Sequence, residues 1–140
     1  MTNLRNLRVL LVDDEPFMRR TIKAMLRVID KFVITEADDG ESALRLIATK
    51  RPDVVFCDIS MKPLDGLGLV ERLRNHPDPA LRDVAVVMLT VDAGEITVRN
   101  VSHLNIQGYL VKPVSPKQIG DRLHTIFHDR QPVPGEDVDD

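Results

Sequence analysis

The chain has 140 residues, 43% of them hydrophobic and 29% charged, which is the size and make-up of one soluble globular domain. A net charge of -3 leaves no broad basic field, so direct nucleic-acid binding is not expected. The single cysteine, Cys57, excludes an internal disulfide and a thiolate zinc cluster. No run approaches the roughly 18 apolar residues of a membrane span, and MTNLRNLRVLLVDDE lacks the pattern of a signal peptide. A cytoplasmic protein without membrane partners is the expectation.

Apolar runs alternate with segments of helical period. Val9 to Val12 is a short apolar strand that ends in Asp13 and Asp14. A helix follows over PFMRRTIKAMLRVID, with Pro16 suited to its first position and Asp14 or Glu15 able to cap it. Phe17, Thr21, Ala24, Met25 and Val28 share one face and are read as its inward stripe. Phe32 to Ala37 reads as a more exposed strand. Asp38 or Asp39 then caps a helix running through Lys50, with Ala43, Leu44 and Ile47 inward. The third strand, Val54 to Cys57, runs straight into Asp58.

Gly66 to Asn75 is expected to be helical, and HPDPALRD to be a loop. Val84 to Leu89 is the fourth strand, ending at Thr90, and Glu95 to Leu104 a modest helix. Gly108 to Val111 is the fifth strand, ending at Lys112 and Pro113. Ser115 and Pro116 open the last helix, with Ile119, Leu123, Ile126 and Phe127 inward. The tail RQPVPGEDVDD, residues 130–140, has the composition of a disordered segment. Strands alternating with helices predict a parallel sheet covered on both faces. Its ligands would sit beyond the carboxyl ends of the strands.

The residues that follow those strands are Asp13, Asp14, Asp58, Thr90 and Lys112. A parallel sheet brings them to one edge. Three carboxylates at close range repel and call for a cation. Oxygen ligands without His or Cys favour Mg2+ over zinc. A Mg2+ ion held by few protein oxygens keeps waters that phosphate oxygens replace. Thr90 and Lys112 supply the donor and the charge that a phosphoryl oxygen seeks. Asp58 is then the candidate nucleophile toward phosphorus.

In this order and at these spacings, LLVDDEP, VVFCDISMKPLDG, VVMLT and GYLVKP resemble the receiver domain of two-component response regulators, over roughly residues 7–129. The resemblance implies a flavodoxin-like (βα)5 fold, doubly wound, with a five-stranded parallel sheet in the order 2-1-3-4-5. It places the receiver domain at 1–129. It makes Asp58 the phosphoacceptor, and it makes Asp13, Asp14, Asp58 and the main-chain carbonyl of Ser60 the Mg2+ ligands. Thr90 matches the switch hydroxyl and Tyr109 the aromatic that swings inward with it. Lys112 matches the lysine that usually precedes a cis-bonded proline, here Pro113. A sensor histidine kinase or histidine phosphotransfer protein would supply the phosphoryl group. The surface of the fourth helix, fifth strand and fifth helix, within Glu95 to Asp121, would engage a downstream protein. A phosphorylation-dependent dimer is compatible with the same resemblance.

The chain departs from the family pattern at Met61-Lys62-Pro63 and at Val91, where the residue after the switch threonine is usually small. A β-branched side chain there is expected to narrow access to Asp58 or to hinder inward movement of Thr90. No DNA-binding helix pair or catalytic domain follows Phe127, so the expected output is a contact made by the receiver itself. The expectation is a phosphoacceptor that assists its own phosphorylation and dephosphorylation, and no enzyme acting on other substrates. A phosphohydrolase of the haloacid dehalogenase type would need Asp-x-Asp after the first strand, where this chain has adjacent Asp13 and Asp14. A flavin carrier would need Ser, Thr and Gly donors where DDEPF stands. A phosphorylation-independent adapter rests on Val91 alone. His124 and His128 have a metal-ligand spacing but no third ligand, and read as a surface pair.

Overall fold

The computed structural model describes residues 3–98 and 104–131. Strands are β1 (Arg8–Val12), β2 (Val33–Ala37), β3 (Val54–Asp58), β4 (Ala85–Thr90) and β5 (Gly108–Val111). Helices are α1 (Pro16–Ile29), α2 (Gly40–Lys50), α3 (Gly66–Arg74), the single turn α4 (Pro79–Arg82), α5 (Ala93–Val98) and α6 (Pro116–Ile126). All strand pairs are parallel, in the order β2-β1-β3-β4-β5. This is the doubly wound arrangement expected from the sequence.

Each inner strand sends alternate side chains to opposite faces, and both faces are covered. Leu10, Val12, Val55, Cys57, Val86 and Met88 pack with Ala43 and Ile47 of α2 and with Val70 and Leu73 of α3. Val9, Leu11, Val54, Phe56, Val87 and Leu89 pack on the other side with α1 and α6. That is why these runs carry almost no polar residue. β2 is an edge strand, and only Ala37 in it is buried.

The inward face of α1 is displaced by one residue from the stripe expected of it. Ile22 and Leu26 are buried, with Met18, Met25 and Ile29 packed beside them, whereas Phe17 and Val28 are 68% and 77% exposed. Arg19 and Lys23 both reach Glu36 on β2, and this orientation of the helix turns Ile22 and Leu26 onto the sheet. Glu15 stands at the N-cap of α1 without a side-chain cap bond.

The other caps form as expected. Asp39 accepts the Ser42 N–H at 2.7 Å. Ser115 and Gln118 form a reciprocal capping box at the start of α6. The loop HPDPALRD contains one helical turn, α4, because Asp78 accepts the Ala80 N–H at 3.0 Å and Pro79 fits the first position. α5 starts earlier than expected, at Ala93, where the Asp92 carboxylate accepts the Gly94 N–H at 2.9 Å.

Residues 99–103 of the helix expected to end at Leu104 lie outside the described residues, as do residues 132–140 of the expected disordered tail. Arg130, at the start of that tail, donates from Nη1 to the carbonyls of Asn3 at 2.9 Å and Arg5 at 3.2 Å. No helix among the described residues is long and apolar enough to cross a membrane.

At the amino edge of the sheet, Arg74 ties the chain together. Its guanidinium donates to the carbonyls of Arg82 (2.7 Å) and Val84 (2.8 Å) before β4, and to those of Leu104 (2.7 Å) and Asn105 (3.1 Å) before β5.

Candidate functional site

The carboxyl edge of the sheet collects the residues singled out at the strand ends. β1 ends with Val12 opposite Cys57 of β3, so Asp13 comes level with Asp58. Thr90 pairs with Val111, and the Lys112 N–H donates to the Thr90 carbonyl at 2.7 Å. Asp13, Asp14 and Asp58 each place a carboxylate oxygen within 4.8 Å of the others. Lys112 Nζ donates to Asp58 Oδ1 at 3.2 Å and Asp13 Oδ2 at 3.4 Å. The peptide bonds Lys62–Pro63 and Lys112–Pro113 are both cis; the second was expected, the first was not.

Asp13 is fully buried, and every polar group it has is engaged. Its N–H donates to the Ala37 carbonyl at 3.2 Å. Its Oδ1 accepts the Glu15 N–H at 2.9 Å. Its carbonyl accepts from Arg19 Nη1 at 2.6 Å. Arg19 Nε reaches Glu36 Oε1 at 3.2 Å, and Lys23 Nζ reaches Glu36 Oε2 at 2.8 Å. The hydrogen bond from Lys23, helped by Arg19, outweighs burial and holds the Glu36 carboxyl below its ordinary pKa.

Asp58 is nearly buried at 6% exposure. Burial pushes its pKa up against the pull of Lys112, and Asp13 adds to the rise. For Lys112, burial acts downward, but the Asp58 and Asp13 carboxylates outweigh it and the pKa is raised. The lysine stays charged, and one ammonium faces three carboxylates. The remaining negative charge draws a cation. The donor set fits a hard divalent ion, since it offers carboxylate oxygens with no His or Cys among them. Cys57 stays a thiol within the core, its pKa pushed up by burial above all.

Ser60 is exposed in the loop after β3, and with Asp14, Ile59, Met61, Lys62 and Asp65 it lines an open cavity of about 350 Å3. The loop returns on itself through Gly66, whose N–H donates to the Ile59 carbonyl at 2.9 Å. A Cβ at Gly66 would run into the Asp58 carbonyl and the Met88 methyl. Asp65 then caps α3 by accepting the Gly68 N–H at 2.8 Å.

Thr90 and Tyr109, the residues expected to act as the switch, differ in exposure. Thr90 is buried, and its hydroxyl accepts the Asp92 N–H and donates to the Asp92 carbonyl, both at 3.1 Å. Tyr109 is 40% exposed. Val91, the residue after Thr90, is 72% exposed. His124 and His128 are both exposed on and just beyond α6, in keeping with a surface pair.

Sequence reasoning missed Arg19, whose contact with the Asp13 carbonyl follows no residue pattern, and Glu36, which braces Arg19. It also missed the close approach that requires Gly66, for which the Asp-Gly pair before a helix was the available signal.

The family model for the response regulator receiver domain matches residues 9–124. The chain belongs to that family. Among curated relatives, chemotaxis protein CheY-3 of Vibrio cholerae is 32% identical over 123 residues, covering 88% of this chain and 93% of that one. The protein named "Probable transcriptional regulator ycf27" from Guillardia theta is 39% identical over 121 residues, covering 86% of this chain and 45% of that one. This receiver domain thus spans about half the length of the ycf27 relatives it matches. The crystal structure of V. cholerae chemotaxis response regulator CheY4 superposes with a TM-score of 0.74 at 25% identity, covering 84% of this chain and 96% of that one.

Proposed function

We propose that this receiver domain accepts a phosphoryl group on Asp58 from a sensor histidine kinase or a histidine phosphotransfer protein, in a Mg2+-dependent reaction. The reading is carried by one observation: Asp58 is nearly buried at the end of β3, with Asp13 and Asp14 beside it and Lys112 Nζ at 3.2 Å. Asp13, Asp14, Asp58 and the Ser60 carbonyl would hold the ion, which would supply positive charge to the phosphoryl oxygens. A carboxylate oxygen of Asp58 attacks phosphorus, and the bond to the donor imidazole nitrogen breaks. The electron pair leaves with that nitrogen. Lys112 offsets charge on the phosphoryl oxygens as they pass through the transition state.

The acyl phosphate then gives the Thr90 hydroxyl an acceptor that competes with the Asp92 main chain. Movement of Thr90 makes room for Tyr109 to turn inward. The surface of α5, β5 and α6 changes with it and engages a downstream protein or a second copy of the chain. The domain works on its own carboxylate and turns over no external substrate.

The test is intact mass after incubation with acetyl phosphate, with and without Mg2+. Wild type gains one phosphoryl group only when Mg2+ is present, and Asp58→Asn gains none. Stable uptake by Asp58→Asn would sink the assignment.

A further inference from the structure

The three carboxylates are not held alike. Asp13 and Asp58 share Lys112 and are buried. Asp14 is exposed, and its carboxylate has no hydrogen-bond partner among the described residues. The peptide that joins it to Asp13 sets its Cα–Cβ bond, and so the region its carboxylate can reach.

The main chain is held on both sides of Asp13, and the Asp13–Asp14 peptide itself is held by Arg19 of α1. The Asp13 N–H donates to the Ala37 carbonyl, and the Asp13 carbonyl accepts from Arg19 Nη1 at 2.6 Å. Arg19 is braced in turn by Glu36, the residue before Ala37, through Nε at 3.2 Å. Both sides of Asp13 are thus anchored to successive residues of one strand, directly at Ala37 and through Arg19 at Glu36. The bridge needs the fork of a guanidinium, whose Nη1 and Nε serve two acceptors at once; a lysine ammonium on a single stem does not reproduce it.

We propose that Arg19, braced by Glu36, is a positioning residue for the acidic pair: it fixes the Asp13–Asp14 peptide so that the Asp14 carboxylate is aimed for a divalent cation. The inference rests on the metal-binding reading of the site. Orienting partners outside the ligand set are a general means of tuning metal affinity.

Charge and positioning predict opposite signs. Arg19 is a cation near a cation site, so neutralising it tightens Mg2+ binding if only Coulomb forces matter. Loss of positioning weakens it.

The experiment titrates Mg2+ into the metal-free full chain by calorimetry, with no phosphodonor, beside thermal melts in chelator. Arg19→Gln and Arg19→Lys are expected to weaken Mg2+ binding about tenfold. Arg20→Gln, which removes the same charge from an exposed neighbour, binds as tightly as wild type or more so. Glu36→Gln weakens binding in the wild-type background and adds nothing in the Arg19→Gln background, because Glu36 acts through Arg19.

Wild-type affinity or tighter in Arg19→Gln overturns the proposal, as does a lowered melting temperature with unchanged affinity. Should Arg19→Gln not fold, Arg19→Lys carries the same comparison with the charge retained. A wild type that binds no Mg2+ removes the metal reading, and this inference with it. A wild type that binds, with unaltered variants, removes this inference alone.

Discussion

The carboxyl edge of the sheet has two halves in different states of readiness. On the β1 and β3 side, Asp13, Asp58 and Lys112 are already in contact, and burial keeps water from screening them. On the β4 and β5 side, Thr90 is occupied with the Asp92 main chain and Tyr109 stands at the surface. Under the proposed function, the first half would react from an arrangement already in place, which is the condition for electrostatic stabilisation without reorganisation. The Thr90 hydroxyl has its bonds satisfied by the Asp92 main chain, so under the proposed function it would change partner only for a better acceptor. Under the proposed function, the contrast would separate reaction from response along one edge of the sheet.

Substitutions can break that division. The largest effect is expected at Lys112. Lys112→Met should slow phosphoryl uptake from acetyl phosphate about 100-fold or more, while Mg2+ binds at least as tightly because a cation has gone. Uptake kinetics and calorimetry on one sample check both. Uptake at the wild-type rate would place the decisive charge elsewhere.

Thr90→Ala comes next. It should take up phosphate at close to the wild-type rate yet lose the response of Tyr109. Tyr109 is the only tyrosine and the chain has no tryptophan, so intrinsic fluorescence reports that ring alone. A change on phosphorylation in wild type and none in Thr90→Ala supports the division. Loss of uptake in Thr90→Ala would show that the two halves act as one.

The smallest effect is on stability. Burial raises the Asp58 pKa, so the folded state binds its proton more tightly than the unfolded chain does. The cost of ionising it is absent below the ordinary carboxylate range and grows as pH rises through the raised value. In metal-free buffer at pH 7, Asp58→Asn should melt about 3 °C higher than wild type. The gap should close as the pH falls to about 4. Saturating Mg2+ should reverse it, because the variant loses a ligand. A variant that melts lower at pH 7 without metal would mean that the Lys112 pair outweighs burial.

The sequence made the chemical half readable because its residues sit directly after apolar runs. Once the strands are known to be parallel, Asp13, Asp58, Thr90 and Lys112 have nowhere else to go. The phase of α1 was harder. Phe17, Thr21, Ala24, Met25 and Val28 make a stripe as good as Met18, Ile22, Met25, Leu26 and Ile29, one residue along. Local periodicity does not choose between them; the sheet surface and the Glu36 carboxylate do. Arg19 was illegible for a related reason. Its acceptor is a main-chain carbonyl, which every residue has and no pattern marks. The orientation of Val91 belongs to the same class, since β-branching fixes a side chain's stiffness and says nothing of which way a loop presents it.

Arg74 adds a practical consequence. One guanidinium staples the chain just before β4 to the chain just before β5, at the edge of the sheet far from the acidic cluster. That edge is a fixed frame of reference. Under the proposed function, a dye or a fused reporter attached at Asp83 or Asn105 is expected to stay dark to signalling, and one at Val91, next to Thr90, to light up. For anyone turning this domain into a sensor, the quiet end and the talking end are already marked.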